Sequence, residues 1–284
     1  MAKTPHCPIC ENTDTALHIT HADMLIYRCK ACGMMFQDYN LIKGKNFDQT
    51  YAQNPHYLRA ANSIAAGVMN RLGEKFGGGF KNLTILEIGT GSGALAASLT
   101  ANGTIFQGIE PSNFFYRYSL ERFPILNGII ENCSLEKAHL EKAKFDLIIM
   151  VDTLEHIPAP VLFLKIIKSY LKPSGFLYIE VPNEASLKLK GLIRKLFNFY
   201  SRYPTHEGHI NLFTGKTLSI TLLNAGFSFQ LDQFSILDDY ERMKIVFQGR
   251  FKPLALALSL FFKLSKLDIV LRQGNLSAGA RIAK

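Results

Sequence analysis

The sequence predicts an α/β fold, a parallel sheet with crossover helices that follows a small cysteine-bearing module and carries helical insertions. Three observations predict it. From residue 83 onward, short apolar runs of strand type alternate with helix-type patterns. The first of those runs opens into a glycine-rich turn, Gly89-Thr-Gly-Ser-Gly93. Near the start, four of the five cysteines stand in two matched pairs. A length of 284 residues suffices for one large domain with a small appendage. Being 48% hydrophobic and 19% charged, the chain is not disordered, collagen-like or a coiled coil.

The N-terminal module, residues 1–38, rests on Cys7-Pro-Ile-Cys10 and Cys29-Lys-Ala-Cys32. A C-x2-C pair puts two thiolates on one tight turn, and two such turns complete a tetrahedron around one ion. The 18 residues between the pairs fit a short hairpin, with strands around Leu17–Thr20 and Met24–Arg28. Gly33 follows the second pair, where the turn needs a positive φ. In a reducing compartment this spacing favours Zn2+ held by Cys7, Cys10, Cys29 and Cys32. Two disulfides would require export, and a redox dithiol would need one pair only. Four thiolates leave no open position, so the metal is expected to be structural. Cys133, standing alone, reads as a small buried apolar residue.

Residues 39–80 read as a linker and a helix, Ala60–Phe76, ended by the turn Phe76-Gly-Gly-Gly-Phe80. The main domain, 81–284, begins with a buried strand at Leu83–Ile88. A helix at Ala94–Ala101 follows the glycine turn, and a strand at Ile105–Ile109 ends at Glu110. Further strands are expected at Gly128–Glu131, Phe145–Val151 and Phe176–Val181. A helix at Val161–Leu171 leads into the turn Lys172-Pro-Ser-Gly175. Two insertions, at about 185–205 and 238–273, hold an amphipathic basic helix (Ser186–Tyr200) and an apolar one (Pro253–Leu271). A last strand is expected at Ala278–Ala283.

The glycine turn admits two readings. As Gly89-x-Gly91-x-x-Ala94 it meets the dinucleotide fingerprint, with pyrophosphate at a helix N-terminus. As Glu87-Ile-Gly89-x-Gly91-x-Gly93 it suits a cofactor with a cationic end, because a carboxylate stands beside the loop. Glu110 lies 17 residues after Gly93, where a carboxylate accepts both ribose hydroxyls of either cofactor.

The remainder of the domain separates the two. Phe145-Asp-Leu-Ile-Ile-Met-Val-Asp-Thr-Leu-Glu-His-Ile-Pro158 resembles the fourth strand and following loop of class I S-adenosylmethionine-dependent methyltransferases of the ubiquinone-biosynthesis-like branch. Leu171-Lys-Pro-Ser-Gly-Phe-Leu-Tyr-Ile-Glu-Val-Pro182 is similar to their fifth strand and the turn before it. His209-Ile-Asn-Leu-Phe213 and Leu222-Leu-Asn-Ala-Gly-Phe227 resemble a later segment. Zinc-bearing relatives, sugar C-methyltransferases among them, have a similar N-terminal ribbon. The resemblance covers 83–235 well and 1–36 loosely.

That resemblance implies a Rossmann-like sheet in the order 3-2-1-4-5-7-6, its final strand antiparallel. It implies that Glu87, Gly89, Gly91 and Gly93 hold the methionyl end of S-adenosylmethionine and Glu110 the ribose. Ser134 would flank the adenine, in a segment without the usual Asp, and Asp152 would face the methyl-donor end. His209, which starts a family-like segment, is the leading candidate for the base or acceptor-orienting group. His156 is the second, and His206 reads as a surface residue. Tyr51 and Tyr57 would close over the cofactor or pack.

The net charge of +9 is uneven: +2 over residues 1–80, −1 over 81–183 and +8 over 184–284. A basic last third suits an acidic acceptor, a nucleic acid or an anionic membrane surface. The expected acceptor is a small molecule: a sugar, nucleotide-sugar, quinone-like, polyketide or lipid-linked compound. The alternative is RNA, gripped by the ribbon and the basic third, but neither an aromatic-interleaved basic patch nor an Asn/Asp-Pro-Pro-aromatic motif occurs. A dinucleotide reductase and a non-catalytic cofactor-binding scaffold complete the alternatives. No secretory signal opens the chain, and its longest apolar run, Leu254–Phe262, falls short of the roughly 20 residues of a membrane span. A cytoplasmic protein is expected, with peripheral membrane contact and a homodimer left open.

Overall fold

The structure is a computed structural model that describes residues 5–21, 24–43, 58, 61–77, 79–185, 208–234 and 275–283. The helices expected at Ser186–Tyr200 and Pro253–Leu271, along with Tyr51, Tyr57 and His206, lie outside the described residues. Eleven strands are seen among the described residues, in two sheets: a four-stranded sheet, β1-β2-β3-β9, and a seven-stranded one, β10-β11-β8-β7-β4-β5-β6. Their ranges are β1 Thr15–His21, β2 Met24–Cys29, β3 Met35–Gln37, β4 Thr84–Ile88, β5 Ile105–Ile109 and β6 Ile130–Glu131. The remaining five are β7 Phe145–Val151, β8 Leu171–Pro182, β9 Asn211–Leu212, β10 Phe227–Phe234 and β11 Asn275–Ile282. Numbered from β4 with the two-residue β9 set aside, the large sheet reads 3-2-1-4-5-7-6 from its β6 edge. That is the expected order, and the last strand, β11, runs antiparallel to β10.

The chain forms two compact units, 46–151 with 169–178, and 1–45 with 152–168 and 179–284. Strand β8 contributes to each.

In the first unit β4 is central, parallel to β5 on one side and β7 on the other, with Glu87 opposite Gly108 and Ile149. Mostly apolar residues build β4 and β7, without strict alternation, because both faces are covered. Helix α2 (Ala61–Phe76) buries Ala61, Ala65, Val68 and Leu72, residues on one face. Helix α3 (Ala94–Ala101) adds Ala94, Leu95 and Leu99 to the same core, with Ile85, Leu147, Ile149 and Tyr178. The strands are also tied at their starts. Lys172 Nζ donates to both carboxylate oxygens of Asp146, each at 2.8 Å, and Asp146 Oδ2 accepts from the Thr84 N–H at 2.9 Å. Burial pushes the Asp146 carboxyl up, but the Lys172 and Thr84 hydrogen bonds outweigh it and hold the group below the usual carboxylate range. A Cβ on Gly175 would stand 2.9 Å from both the Lys172 and Phe145 carbonyl oxygens, so only glycine permits this approach. The turn expected at 172–175 is therefore drawn into β8, which starts at Leu171. Helix α4 (Asn113–Arg122) is capped by Ser112, whose hydroxyl accepts from the Phe115 N–H.

In the second unit β1 and β2 form the expected hairpin, and β2 passes the chain to β3. Strand β3 then pairs antiparallel with β9, Met35 opposite Leu212 and Phe36 opposite Asn211. Met24, Ile26, Met35 and Leu212 share one small core. The unit also holds helices α5 (Pro160–Lys168) and α6 (Gly215–Asn224), besides a short α1 (Tyr39–Ile42). Helix α6 starts with a reciprocal capping box between Thr214 and Thr217. Among the described residues, no helix is long and apolar enough to cross a membrane.

Candidate functional site

The glycine turn sits where β4 ends and α3 begins. Gly89, Gly91 and Gly93 have φ of 79°, 52° and 77°, a region that side chains with a Cβ rarely adopt. Two of them serve different needs. A Cβ on Gly93 would lie 2.7 Å from Ser119 Cβ and 2.9 Å from Leu126 Cδ1, so this glycine lets the helix pack. A Cβ on Gly91 would meet nothing within 4 Å. The backbone at Gly91 thus borders open space.

Two carboxylates flank that turn. Glu110, beyond the end of β5, accepts from the Gly91 N–H at 2.7 Å through Oε2 and from the Ser112 N–H at 2.8 Å through Oε1. Glu87, within β4, is 2% exposed, and its Oε2 has no hydrogen-bond partner among the described residues. Burial, then the charge of Glu110, pushes its carboxyl well above the usual range. A buried carboxyl whose Oε2 lacks a partner among the described residues, next to a bare backbone loop, suits a cationic ligand better than a pyrophosphate. Ser134 is half-buried and hydrogen bonds to Glu136, whose carboxyl it lowers. Asn132 donates to the Glu110 carbonyl at 2.8 Å.

The second unit carries two clusters. In one, Cys7 Sγ and Cys32 Sγ lie 3.5 Å apart and Cys10 Sγ and Cys29 Sγ 3.6 Å, with all four sulfurs within 4.8 Å of one another. Sulfurs at about 2.3 Å from a tetrahedral ion are separated by about 3.8 Å, so the set fits one Zn2+. Burial raises the Cys7 thiol strongly and the Cys32 thiol to about 11. At Cys29 burial acts upward too, but the backbone N–H groups of Cys32 and Ala31 prevail and lower the thiol.

The other cluster is Glu155, His156 and His209. His209 Nε2 stands 3.9 Å from Glu155 Oε1, and the two imidazoles meet edge to face with centroids 4.9 Å apart. His156 Nδ1 lies 2.9 Å from the Gly208 carbonyl oxygen, which only accepts, so Nδ1 carries a proton. Burial lowers the His156 pKa against the pull of that carbonyl. Glu155 is 0% exposed and neither of its oxygens has a hydrogen-bond partner among the described residues. Burial first, then the charges of Asp152 and Glu184, push its carboxyl well above the usual range. Asp152, directly after β7, is exposed and holds φ of 49°, an uncommon conformation for a residue other than glycine; its N–H donates to the Glu180 carbonyl at 3.0 Å.

The residues selected from sequence therefore fall into three groups. Glu87, Gly89, Gly91, Gly93 and Glu110 gather at one turn, and the four cysteines converge at one point. His209 and His156 touch. Glu155 was not singled out by the sequence reading, although it belongs to the quoted Leu154-Glu155-His156 motif. Its setting, Asp152-Thr153-Leu154-Glu155-His156, is polar and gave no signal of burial.

A family model described as a methyltransferase domain matches residues 56–230. The ubiquinone biosynthesis O-methyltransferase of Haemophilus ducreyi is 28% identical over 111 residues, covering 35% of this chain and 45% of the relative. That of Paraburkholderia phytofirmans is 30% identical over 104 residues, covering 35% and 44%. The chain thus matches less than half the length of these two relatives. Among solved structures, phosphoethanolamine N-methyltransferase 2 of Haemonchus contortus, in complex with S-adenosyl-L-methionine, is similar at a TM-score of 0.57 and 17% identity, covering 85% of this chain and 61% of that one. A methyltransferase of Thermotoga maritima, described as a possible histamine N-methyltransferase, gives 0.52 and 16%, covering 82% and 97%.

Proposed function

Because this chain belongs to the methyltransferase-domain family, we propose that it is an S-adenosylmethionine-dependent methyltransferase acting on a small-molecule acceptor. The observation that carries the reading is the turn at Gly91: backbone bordering open space, with Glu110 engaged on its N–H and the Oε2 of the buried Glu87 lacking a hydrogen-bond partner among the described residues. Glu87, Gly89, Gly91 and Gly93 would hold the methionyl end, Glu110 the ribose, Ser134 the adenine side and Asp152 the donor end. Bound there, S-adenosylmethionine would supply an electrophilic methyl group on a sulfonium sulfur, with a neutral thioether as the leaving group. The chain's own residues then have to align the acceptor, exclude water and take one proton. His209 is the residue assigned to that proton, with the Glu155 carboxyl 3.9 Å from its Nε2 and with His156 against its ring.

The acceptor favoured among the candidates is a hydroxyl on a quinone-like ring, ahead of sugar, nucleotide-sugar, polyketide and lipid-linked compounds. The relatives named as ubiquinone biosynthesis O-methyltransferases support that order. In this reading residues 1–38 form a zinc ribbon, with Zn2+ held by Cys7, Cys10, Cys29 and Cys32 as a structural ion, and residues 81–284 form the methyltransferase domain. Incubating the protein with cell extract and methyl-labelled S-adenosylmethionine tests the proposal. A labelled small molecule identified by mass spectrometry is expected, and its formation should fall at least about 100-fold in His209→Ala. Label found only in RNA would overturn the acceptor class, and full turnover by His209→Ala would overturn the base.

A further inference from the structure

The described segment that carries His209 begins at Gly208. Within the second unit it is clamped from two sides. From one side, the Ile210 N–H donates to the Glu155 carbonyl at 2.9 Å, Asn211 Nδ2 donates to the Ile157 carbonyl at 2.6 Å, and the His156 ring bonds the Gly208 carbonyl. From the other side comes the cysteine-bearing segment. The Gln37 N–H donates to the Ile210 carbonyl at 2.8 Å, and Gln37 Nε2 donates to the carbonyl of His209 itself at 2.8 Å. Gln37 is 4% exposed, so this amide is removed from water and its bonds are not readily replaced.

Gln37 is also wired to the cysteine cluster. The second knuckle closes through Gly33 N–H to the Cys29 carbonyl at 3.0 Å and Cys29 N–H to the Met34 carbonyl at 2.9 Å; Met35 then opens β3. The first knuckle is anchored as well, since Asn224 Nδ2 donates to the Ile9 carbonyl at 3.0 Å. Four residues separate Cys32 from Gln37, all of them described, and the last two lie with Gln37 in β3. A shift of the knuckles therefore has a short path to His209, covalent as far as Gln37 and hydrogen-bonded beyond it.

We propose that Gln37 is a positioning residue for His209, and that through it the four-cysteine module sets the register of the histidine site. The inference rests on the reading of His209 as the acceptor-side base. The ribbon is then part of the catalytic frame, not a separate grip for a nucleic acid. A histidine ring held against Glu155 at 3.9 Å changes its environment with a displacement of a fraction of an ångström, and misplacement by about 1 Å can cost a factor of about 100 in rate.

The test uses the full chain with histidine labelled at the ring nitrogens, the His209 signals being assigned from His209→Gln. In Gln37→Met, which keeps length but removes the donor, the ring signals of His209 are expected to move while those of the exposed His139 stay. Methyl transfer to the extract acceptor should fall about tenfold or more, with S-adenosylmethionine affinity and zinc content changed less than twofold. Removing the metal with a chelator should move the same His209 signals. If Gln37→Met does not fold, Gln37→Asn carries the same measurement. Unmoved His209 signals in either the variant or the metal-free protein overturn the proposal, and so does an equal loss of cofactor affinity, which would mark general disturbance. Failure of the base assignment is separately visible, because it would leave His209→Ala active whatever the spectra of the Gln37 variants show.

Discussion

Glu110 Oε2 accepts a hydrogen bond from the Gly91 N–H at 2.7 Å, joining the end of β5 to the glycine turn that follows β4. The same carboxylate takes the Ser112 N–H at 2.8 Å, so it arrives at the site already oriented. Glu110→Ala removes both tethers together with the proposed ribose acceptor. Hydrogen bonds to charged groups contribute roughly 1.5–3 kcal/mol each. The dissociation constant for S-adenosylmethionine should rise about 10- to 100-fold by calorimetry. An unchanged constant would remove Glu110 from the site.

The two glycines of the turn should respond differently. Gly91 faces open space, so Gly91→Arg costs the fold only the strain of φ 52°, about 1–2 kcal/mol, yet fills the ligand's room with a cation. Cofactor binding should vanish while thermal melting falls by a few degrees. At Gly93 a Cβ would collide with Ser119 at 2.7 Å, so Gly93→Ala should lower melting more through overpacking, by roughly 1–3 kcal/mol. Intact cofactor binding by Gly91→Arg would misplace the site.

Glu155 gives a pH dependence of definite sign. Its carboxyl is raised in the folded state by burial and by Asp152 and Glu184, so the folded chain holds its proton at pH values where the unfolded chain has released it. Stability therefore declines as pH rises above the ordinary carboxylate range, until the folded group ionises. Glu155→Gln should flatten that decline, by about 1.4 kcal/mol for each unit of displacement. Melting curves between pH 4 and pH 9 measure it; parallel curves for the two proteins would show that Glu155 is ionised in the native state.

The cysteine cluster should hold one Zn2+ per chain by elemental analysis. Because the thiols of Cys7 and Cys32 are raised, binding must displace protons, and affinity should increase with pH. Cys29→Ser should reduce zinc content and cost about 2 kcal/mol or more of stability, read by denaturant unfolding. Equal stability with and without metal would show that the ribbon does not depend on the ion.

What could be read from the sequence followed its local signals. Ala94–Ala101, Ile105–Ile109 and Phe145–Val151 lie where the apolar runs place them, because a buried strand or helix is fixed by contiguous residues. The cysteine cluster was legible for the same reason: its spacing is local. Strands β3 and β9 were not expected. They are three and two residues long, and Phe36 meets Asn211 across a long stretch of chain, so no periodicity marks them. The neighbourhood of His209 was hidden with them, since Gln37 and Glu155 come from distant parts of the chain. The turn at 172–175 was misjudged because Pro173 and Gly175 signal a loop, whereas β8 already starts at Leu171 and passes through them, with no room for a side chain at Gly175 beside the Phe145 carbonyl.

The central claim is the identity of the ligand at Gly91. Titration of the purified protein with S-adenosylmethionine and, separately, with NAD measures it directly in a calorimeter. The account predicts saturable binding of one S-adenosylmethionine per chain, lost in Gly91→Arg, and no heat with NAD. Saturable binding of NAD with none of S-adenosylmethionine would contradict it.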